Sequence, residues 1–180
     1  MTDKKMPEGT IYIRKLTPTG NALSGATLAI YKEMDDITTA SPVVSFESGT
    51  TPKAIKVDDT GNAAETLKAG EKYKLVETSA PAGYLVAKQI TFTVTKNASA
   101  QYRITTISDS NSLNGDQVTI MMTDQPLSLR IKKETSSGDL LEGATLKLYE
   151  GTTADETKCI ETISTNRTNM HTVEFTKLEA

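Results

Sequence analysis

Three ionisable residues of this chain stand in phase with apolar stripes, and one of them is a lysine. In "TIYIRKL" the alternation of an extended strand puts Ile11, Ile13 and Lys15 on one side, Tyr12 and Arg14 on the other. In "EKYKLVETSAPAGYLV" Tyr73, Leu75 and Glu77 share a side, and in "QVTIMMTD" Val118, Ile120, Met122 and Asp124 do. An apolar stripe faces a core, where an unpaired charge is costly. Phase alone leaves three readings open. The side chains sit at strand ends and reach water; or they form a buried ion-paired cluster, which is seldom worth much stability; or the lysine condenses with an acid to form an amide. Amide formation needs a lysine without its extra proton, and burial favours that neutral amine over the ammonium. It also needs a carboxyl that keeps a proton, and two carboxyls placed close together do not both ionise cheaply.

Other chemistries find little support. The single cysteine, Cys159, allows no disulfide within the chain and has no neighbouring base, so it reads as a small apolar strand residue. The single histidine, His171, lies in the strand-like "NMHTVEF". Serine and cysteine triads and multi-histidine zinc sites are therefore not expected. The acidic turn "VDDTGN" and the loop "SDSNSLNGD" lack the ligand spacing of a calcium loop and read as turns. No metal and no cofactor is expected. With 20 Lys and Arg against 23 Asp and Glu and no basic run, neither nucleic acid nor an anionic membrane surface is a natural partner. The opening "MTDKKMPEG" has no apolar centre, and no later run is long enough to cross a bilayer. The segments that would export and anchor the protein are expected outside this chain.

The elements that must position Lys15, Glu77 and Asp124 are short strands. Strands are predicted over 10–16, 26–32, 43–47, 53–57, 73–78, 89–95, 101–107 and 117–124, separated by turn signals such as "PTGN", "DDTGN" and "SLNGD". Many short strands, abundant threonine and valine, and no long amphipathic helix predict an all-β, antiparallel sandwich.

The chain also repeats itself. "IYIRKLTPTGNALSGATLAIYKE" (11–33) recurs as "LRIKKETSSGDLLEGATLKLYEG" (129–151), with Lys15 on Lys133, Gly20 on Gly138 and Gly25 on Gly143. Leu127, Leu129, Ile131 and Lys133 are again in phase. The repeat divides the chain into a lead at 1–6, expected to be flexible, a complete domain at 7–125, and the front of a second copy at 126–180. The closing "VEFTKLEA" reads as the counterpart of "AAETLKAG" (63–70). On that reading the second copy stops before it repeats the Glu77 segment, and Lys133 is expected to remain a free amine.

"KLVETSAPAGY" resembles the acidic segment of the B-type repeat domains of Gram-positive collagen adhesins, the CnaB-like domains, and "KLTPTGNALSGATLAIY" resembles their opening segment. The resemblance covers the first copy and the front of the second. It implies an Ig-like or prealbumin-like sandwich from a pilin or surface adhesin, with a self-formed Lys–Asp or Lys–Asn isopeptide bond. Carried over by position, it makes Lys15 the nucleophile, Glu77 the acid that shuttles protons and Asp124 the electrophile on the last strand. Asn97, Asn111 and Asn114 are rivals of Asp124 by residue type. Only Asp124 combines strand phase with a place just before the next copy.

The expected function is thus a structural stalk or repeat module on a bacterial surface, cell-wall attached through its parent protein. It is not a turnover enzyme, and its natural partners are neighbouring repeat domains. No lysine motif for joining pilin subunits is evident, which favours a stalk over a pilus shaft. The alternative is a binding module that meets a host protein or glycan through the loops at 34–39 and 108–116.

Overall fold

The computed structural model of the chain describes residues 9–169, 172–176 and 178. The lead at 1–6 and His171 lie outside them. The described residues fall into two compact units, one running to Pro81 and over Leu85–Gln125, the other comprising Ala82–Tyr84 and the residues from Pro126 onward.

The first unit is all-β. Its strands are β1 (Gly9–Leu16), β2 (Thr27–Lys32), β3 (Val44–Glu47), β4 (Lys53–Asp58), β5 (Thr66–Lys68), β6 (Lys72–Ser79), β7 (Ile90–Lys96), β8 (Tyr102–Ile107) and β9 (Thr119–Thr123). They form a four-stranded sheet in the order β5-β4-β1-β9 and a five-stranded sheet in the order β3-β2-β6-β7-β8. The eight predicted strands all appear, within one residue at each end except for the last, which is shorter by two at its start and one at its finish. The missing one is β5, whose three residues are too few to show an alternation. Two pairings, β1 with β9 and β4 with β5, are parallel, a departure from an all-antiparallel ladder. Side-chain alternation does not encode strand direction, so the sequence carries no mark of it.

The inner faces of the two sheets meet in one core. Ile11, Ile13, Ile55 and Ile120 from the smaller sheet pack with Leu28, Ile30, Leu75 and Phe92 from the larger, all nearly or wholly excluded from solvent. Tyr12, between Ile11 and Ile13, is exposed on the outer side, as a strand with one buried face requires.

The second unit reproduces the first four strands of the first. Its strands are β10 (Leu129–Lys132), β11 (Thr145–Tyr149), β12 (Cys159–Ser164) and β13 (Thr172–Phe175). β10 pairs with β13, and β11 with β12, both antiparallel, as β1 pairs with β4 and β2 with β3. Leu129 faces Phe175 as Ile11 faces Ile55. The segment starting at Val173 is therefore the counterpart of β4, and the match of "VEFTKLEA" to "AAETLKAG" is overturned. Both stretches offer an apolar residue at similar spacing, and only the pairing with β10 tells them apart.

The two units also share a buried hydroxyl that the sequence comparison does not single out. Ser48 Oγ donates to the Leu23 carbonyl at 2.8 Å and accepts from Ala26 N–H at 2.9 Å. Thr165 Oγ1 donates to the Leu141 carbonyl at 2.8 Å and accepts from Ala144 N–H at 3.0 Å. Each hydroxyl clips the "SGAT" or "EGAT" turn to the end of β3 or β12. The turn needs glycine, since Gly25 and Gly143 have φ of +88° and +79°. Ser48→Ala strands the buried Ala26 N–H and the half-buried Leu23 carbonyl and is expected to cost about 1–3 kcal/mol, read as a lower urea midpoint.

Candidate functional site

Lys15 lies near the end of β1, the strand held between β4 and β9. It stands in register with Met122 of β9, and one step on Asp124 N–H donates to the Leu16 carbonyl at 3.0 Å. That parallel ladder brings the Asp124 side chain beside Lys15 on the core face. Glu77 comes from the other sheet: it is on β6, in register with Leu28 of β2. The phase of each strand turns all three side chains inward, and the space between the sheets is where they meet.

The contacts are direct. Lys15 Nζ is 2.9 Å from Glu77 Oε2 and donates to Asp124 Oδ1. The three side chains are wholly buried. The strand-end reading, in which they reach water, is thereby removed. Glu77 Oε2 accepts a second hydrogen bond, from Ala87 N–H at 2.5 Å. This leaves Glu77 Oε1 and Asp124 Oδ2 buried with no partner among the described residues. Two carboxylate oxygens cannot satisfy each other, whereas a single proton between the acids satisfies both. Burial pushes the Asp124 carboxyl up to about 6; the Lys15 contact opposes the shift, and the hydrogen bond and charge of Glu77 add to it. A cavity of about 200 Å³, lined in part by Ile13, Leu28, Phe46, Ser48 and Pro52, reaches Lys15.

The remaining candidates stand apart from this cluster. Asn97, Asn111 and Asn114 are exposed, and Asn97 Oδ1 accepts from Ser99 N–H and Gln101 N–H within its own turn. Lys133 is exposed at the end of β10. Cys159 is partly buried, its sulfur 3.5 Å from Thr162 Oγ1. Asp58 Oδ1 accepts from Thr60 N–H and Gly61 N–H at 2.7 and 2.6 Å, so "DDTGN" spends its carboxylate on its own backbone. Among the described residues no group of three or more His, Cys, Asp and Glu is arranged to hold a metal ion. Of the two loop segments, 34–39 is mostly exposed and begins at Met34, which is 91% exposed. Ser108, Asp109, Asn111 and Ser112 of the other line a cavity of about 600 Å³ together with Lys88 and Gln125.

Ala87 is the participant that reading side chains passes over. Its contribution is a backbone N–H, and the only hint in sequence is the "PAGY" turn that sends the chain back past Glu77.

The family model for the SpaA prealbumin-like fold domain matches residues 9–109. Among solved structures, the C-terminal fragment of the pilus adhesin SpaC from Lactobacillus rhamnosus GG is similar at 23% identity and a TM-score of 0.45, over 69% of this chain and 47% of that one. The Bacillus anthracis TIE protein is similar at 22% identity and a TM-score of 0.44, over 93% of this chain and 26% of its own. The shaft pilin SpaA from Lactobacillus rhamnosus GG is similar at 15% identity and a TM-score of 0.43, over 78% and 58%. The chain thus spans about half the SpaC fragment and about a quarter of the TIE protein. No curated protein matches it in sequence.

Proposed function

Since the chain belongs to the SpaA prealbumin-like fold domain family, we propose that it is a structural module of a bacterial surface adhesin or pilin whose first domain, residues 7–125, locks itself with a Lys15–Asp124 isopeptide bond. The observation that carries the proposal is a lysine amine held against two buried acids, one from each sheet. Residues 126–180 are read as strands of a second domain of the same kind, with Lys133 an unreacted amine.

The chemistry follows from the contacts. A proton passes from the Lys15 ammonium to the pair of acids, leaving a neutral amine beside a protonated carboxyl. Nζ attacks Asp124 Cγ and forms the C–N bond. The nitrogen gives one hydrogen to Glu77. A C–O bond of Asp124 breaks as its oxygen, already carrying the shared proton, takes the second from Glu77 and leaves as water. Glu77 ends as it began. Holding amine and carboxyl in contact supplies roughly 7–11 kcal/mol of the barrier. The cavity beside Lys15 gives the departing water a path. This is one event per molecule and not turnover, so the product is the domain itself.

The bond joins positions 109 residues apart. Tension entering through β1 passes across the amide and out after Asp124, without loading the strands between them. Unlike a disulfide, the amide is indifferent to reductants. The cell surface is the setting in which this property serves, and adjoining domains are the partners through which force arrives.

The intact mass of the purified chain tests the proposal. A Lys15–Asp124 amide makes the protein one water lighter than its sequence, and fragmentation places the loss on a branched peptide containing both residues. An unshifted mass leaves the fold standing and removes the crosslink.

A further inference from the structure

We propose that the backbone N–H of Ala87 is a positioning group for amide formation, one that keeps Glu77 Oε2 unprotonated and aimed at the Lys15 amine. The inference rests on the crosslinking reading above and adds an atom-level assignment to it.

Glu77 has two chemically equivalent oxygens in very different surroundings. Oε2 lies 2.5 Å from Ala87 N–H and 2.9 Å from Lys15 Nζ. Oε1 is buried and has no protein donor among the described residues. An oxygen that accepts from a backbone N–H is a poor place for a proton, because protonation weakens that hydrogen bond. The retained proton therefore belongs on the other side of the carboxyl, between Oε1 and Asp124 Oδ2, the two oxygens that otherwise lack partners. Oε2 stays an open acceptor aimed at the amine. The N–H also fixes the plane of the carboxyl, which a single contact with a lysine on a flexible stem does not do.

The sequence explains how Ala87 comes to be there. After β6 the chain turns at Ala82 and Gly83, the latter with φ of +81°, a conformation that favours glycine. Leu85 N–H then donates to the Gln125 carbonyl at 2.9 Å, so the returning segment is tied to the residue that follows Asp124. Two residues on, Ala87 meets Glu77. One short segment is thus bonded next to the electrophile and onto the base. Lys88, beside Ala87, lines the cavity of about 600 Å³, and Glu47 and Lys53 line the one that reaches Lys15. Among the described residues, the charged groups that act on Glu77 at the site are Lys15 and Asp124.

The test replaces the N–H and nothing else. An ester at position 87, made by incorporating the hydroxy acid analogue of alanine during cell-free synthesis of the full chain, puts oxygen in place of the N–H. Water loss is followed by intact mass from the moment of synthesis. The expected result is a rate at least about tenfold below the wild-type chain, as for loss of one hydrogen bond to a charged group. The same ester placed one residue earlier, at exposed Val86, is expected to react at the wild-type rate. An Ala87 ester that reacts as fast as wild type overturns the inference, and so does a Val86 ester as slow as the Ala87 ester. Should the ester not fold, the Ala87 amide proton resonance decides: it is expected far downfield and to move upfield in Glu77→Ala, and an unmoved resonance overturns the assignment. A wild-type chain that never loses water is a separate outcome, and it removes the crosslinking reading itself.

Discussion

Glu77→Ala is expected to return the chain to the full mass of its sequence and to lower its melting temperature by on the order of 15 °C. The mass follows from the proposed chemistry: without Glu77 no group stands within reach to take the amine proton and pass it to the departing oxygen. The melting shift follows from loop closure. Lys15 and Asp124 are 109 residues apart, and in the chain-entropy account a crosslink over about a hundred residues constrains the unfolded chain by about 4–5 kcal/mol. For a domain of about this size each kcal/mol moves the midpoint by several degrees. A further loss comes from Ala87 N–H, which keeps its burial and loses its acceptor. Mass spectrometry and calorimetry on the same sample separate the two effects. A Glu77→Ala chain that is still one water light would dismiss Glu77 from the reaction.

A second substitution is expected to cost still more. Lys15→Ala removes the nucleophile, so the crosslink is lost as in Glu77→Ala. It also leaves two acids facing each other in a dry site with no cation. Breaking a buried charged set by deleting one partner typically costs about 3–5 kcal/mol, in addition to the crosslink term. Set against a typical domain stability of about 5–15 kcal/mol, the sum brings the first domain to the edge of unfolding. Replacing all three residues by apolar ones of similar length, as Lys15→Met with Glu77→Leu and Asp124→Leu, is expected to recover the part due to stranded charge while remaining uncrosslinked. In urea titrations the triple variant should therefore unfold later than Lys15→Ala. If it unfolds no later, the buried trio is not a net electrostatic cost. The contrast bears on purpose: a cluster that an apolar core outperforms in stability is one to be kept for the proposed reaction.

Much of this arrangement is legible in the sequence, and the limits have physical causes. Strand alternation put Ile11 and Ile13 on the core side together with Lys15, and the structure buries all three. The same rule turned Glu77 and Asp124 inward. Alternation has a period of two and no sign, so it gives the face of a strand and not its direction. The parallel pairing of β1 with β9, which sets Asp124 beside Lys15, was invisible for that reason. Register between distant strands is similarly silent, which is why "VEFTKLEA" was matched to the wrong part of the first copy. The proton also escaped the reading. Either acid is eligible to hold it on residue type, and neither the burial that raises Asp124 nor the Ala87 N–H on Glu77 is marked in the side-chain pattern. Ala87 contributes through its backbone, which every residue but proline possesses, so no side-chain pattern marks it.

The separation of Lys15 and Asp124 along the chain has a consequence for survival outside the cell. Exposed loop tips are where proteases cut, and the stretch around Met34, almost wholly open to solvent, lies between the two residues. Once the amide is made, residues 15 to 124 form a closed ring with a tail at each end. A single cut anywhere in the ring opens it, and the two tails remain joined by covalent bonds through the amide. Severing the molecule between its ends then takes a cut in a tail, or in both the ring and the amide. The proposed bond, which would carry tension on an intact chain, would also make the domain tolerant of its first wound.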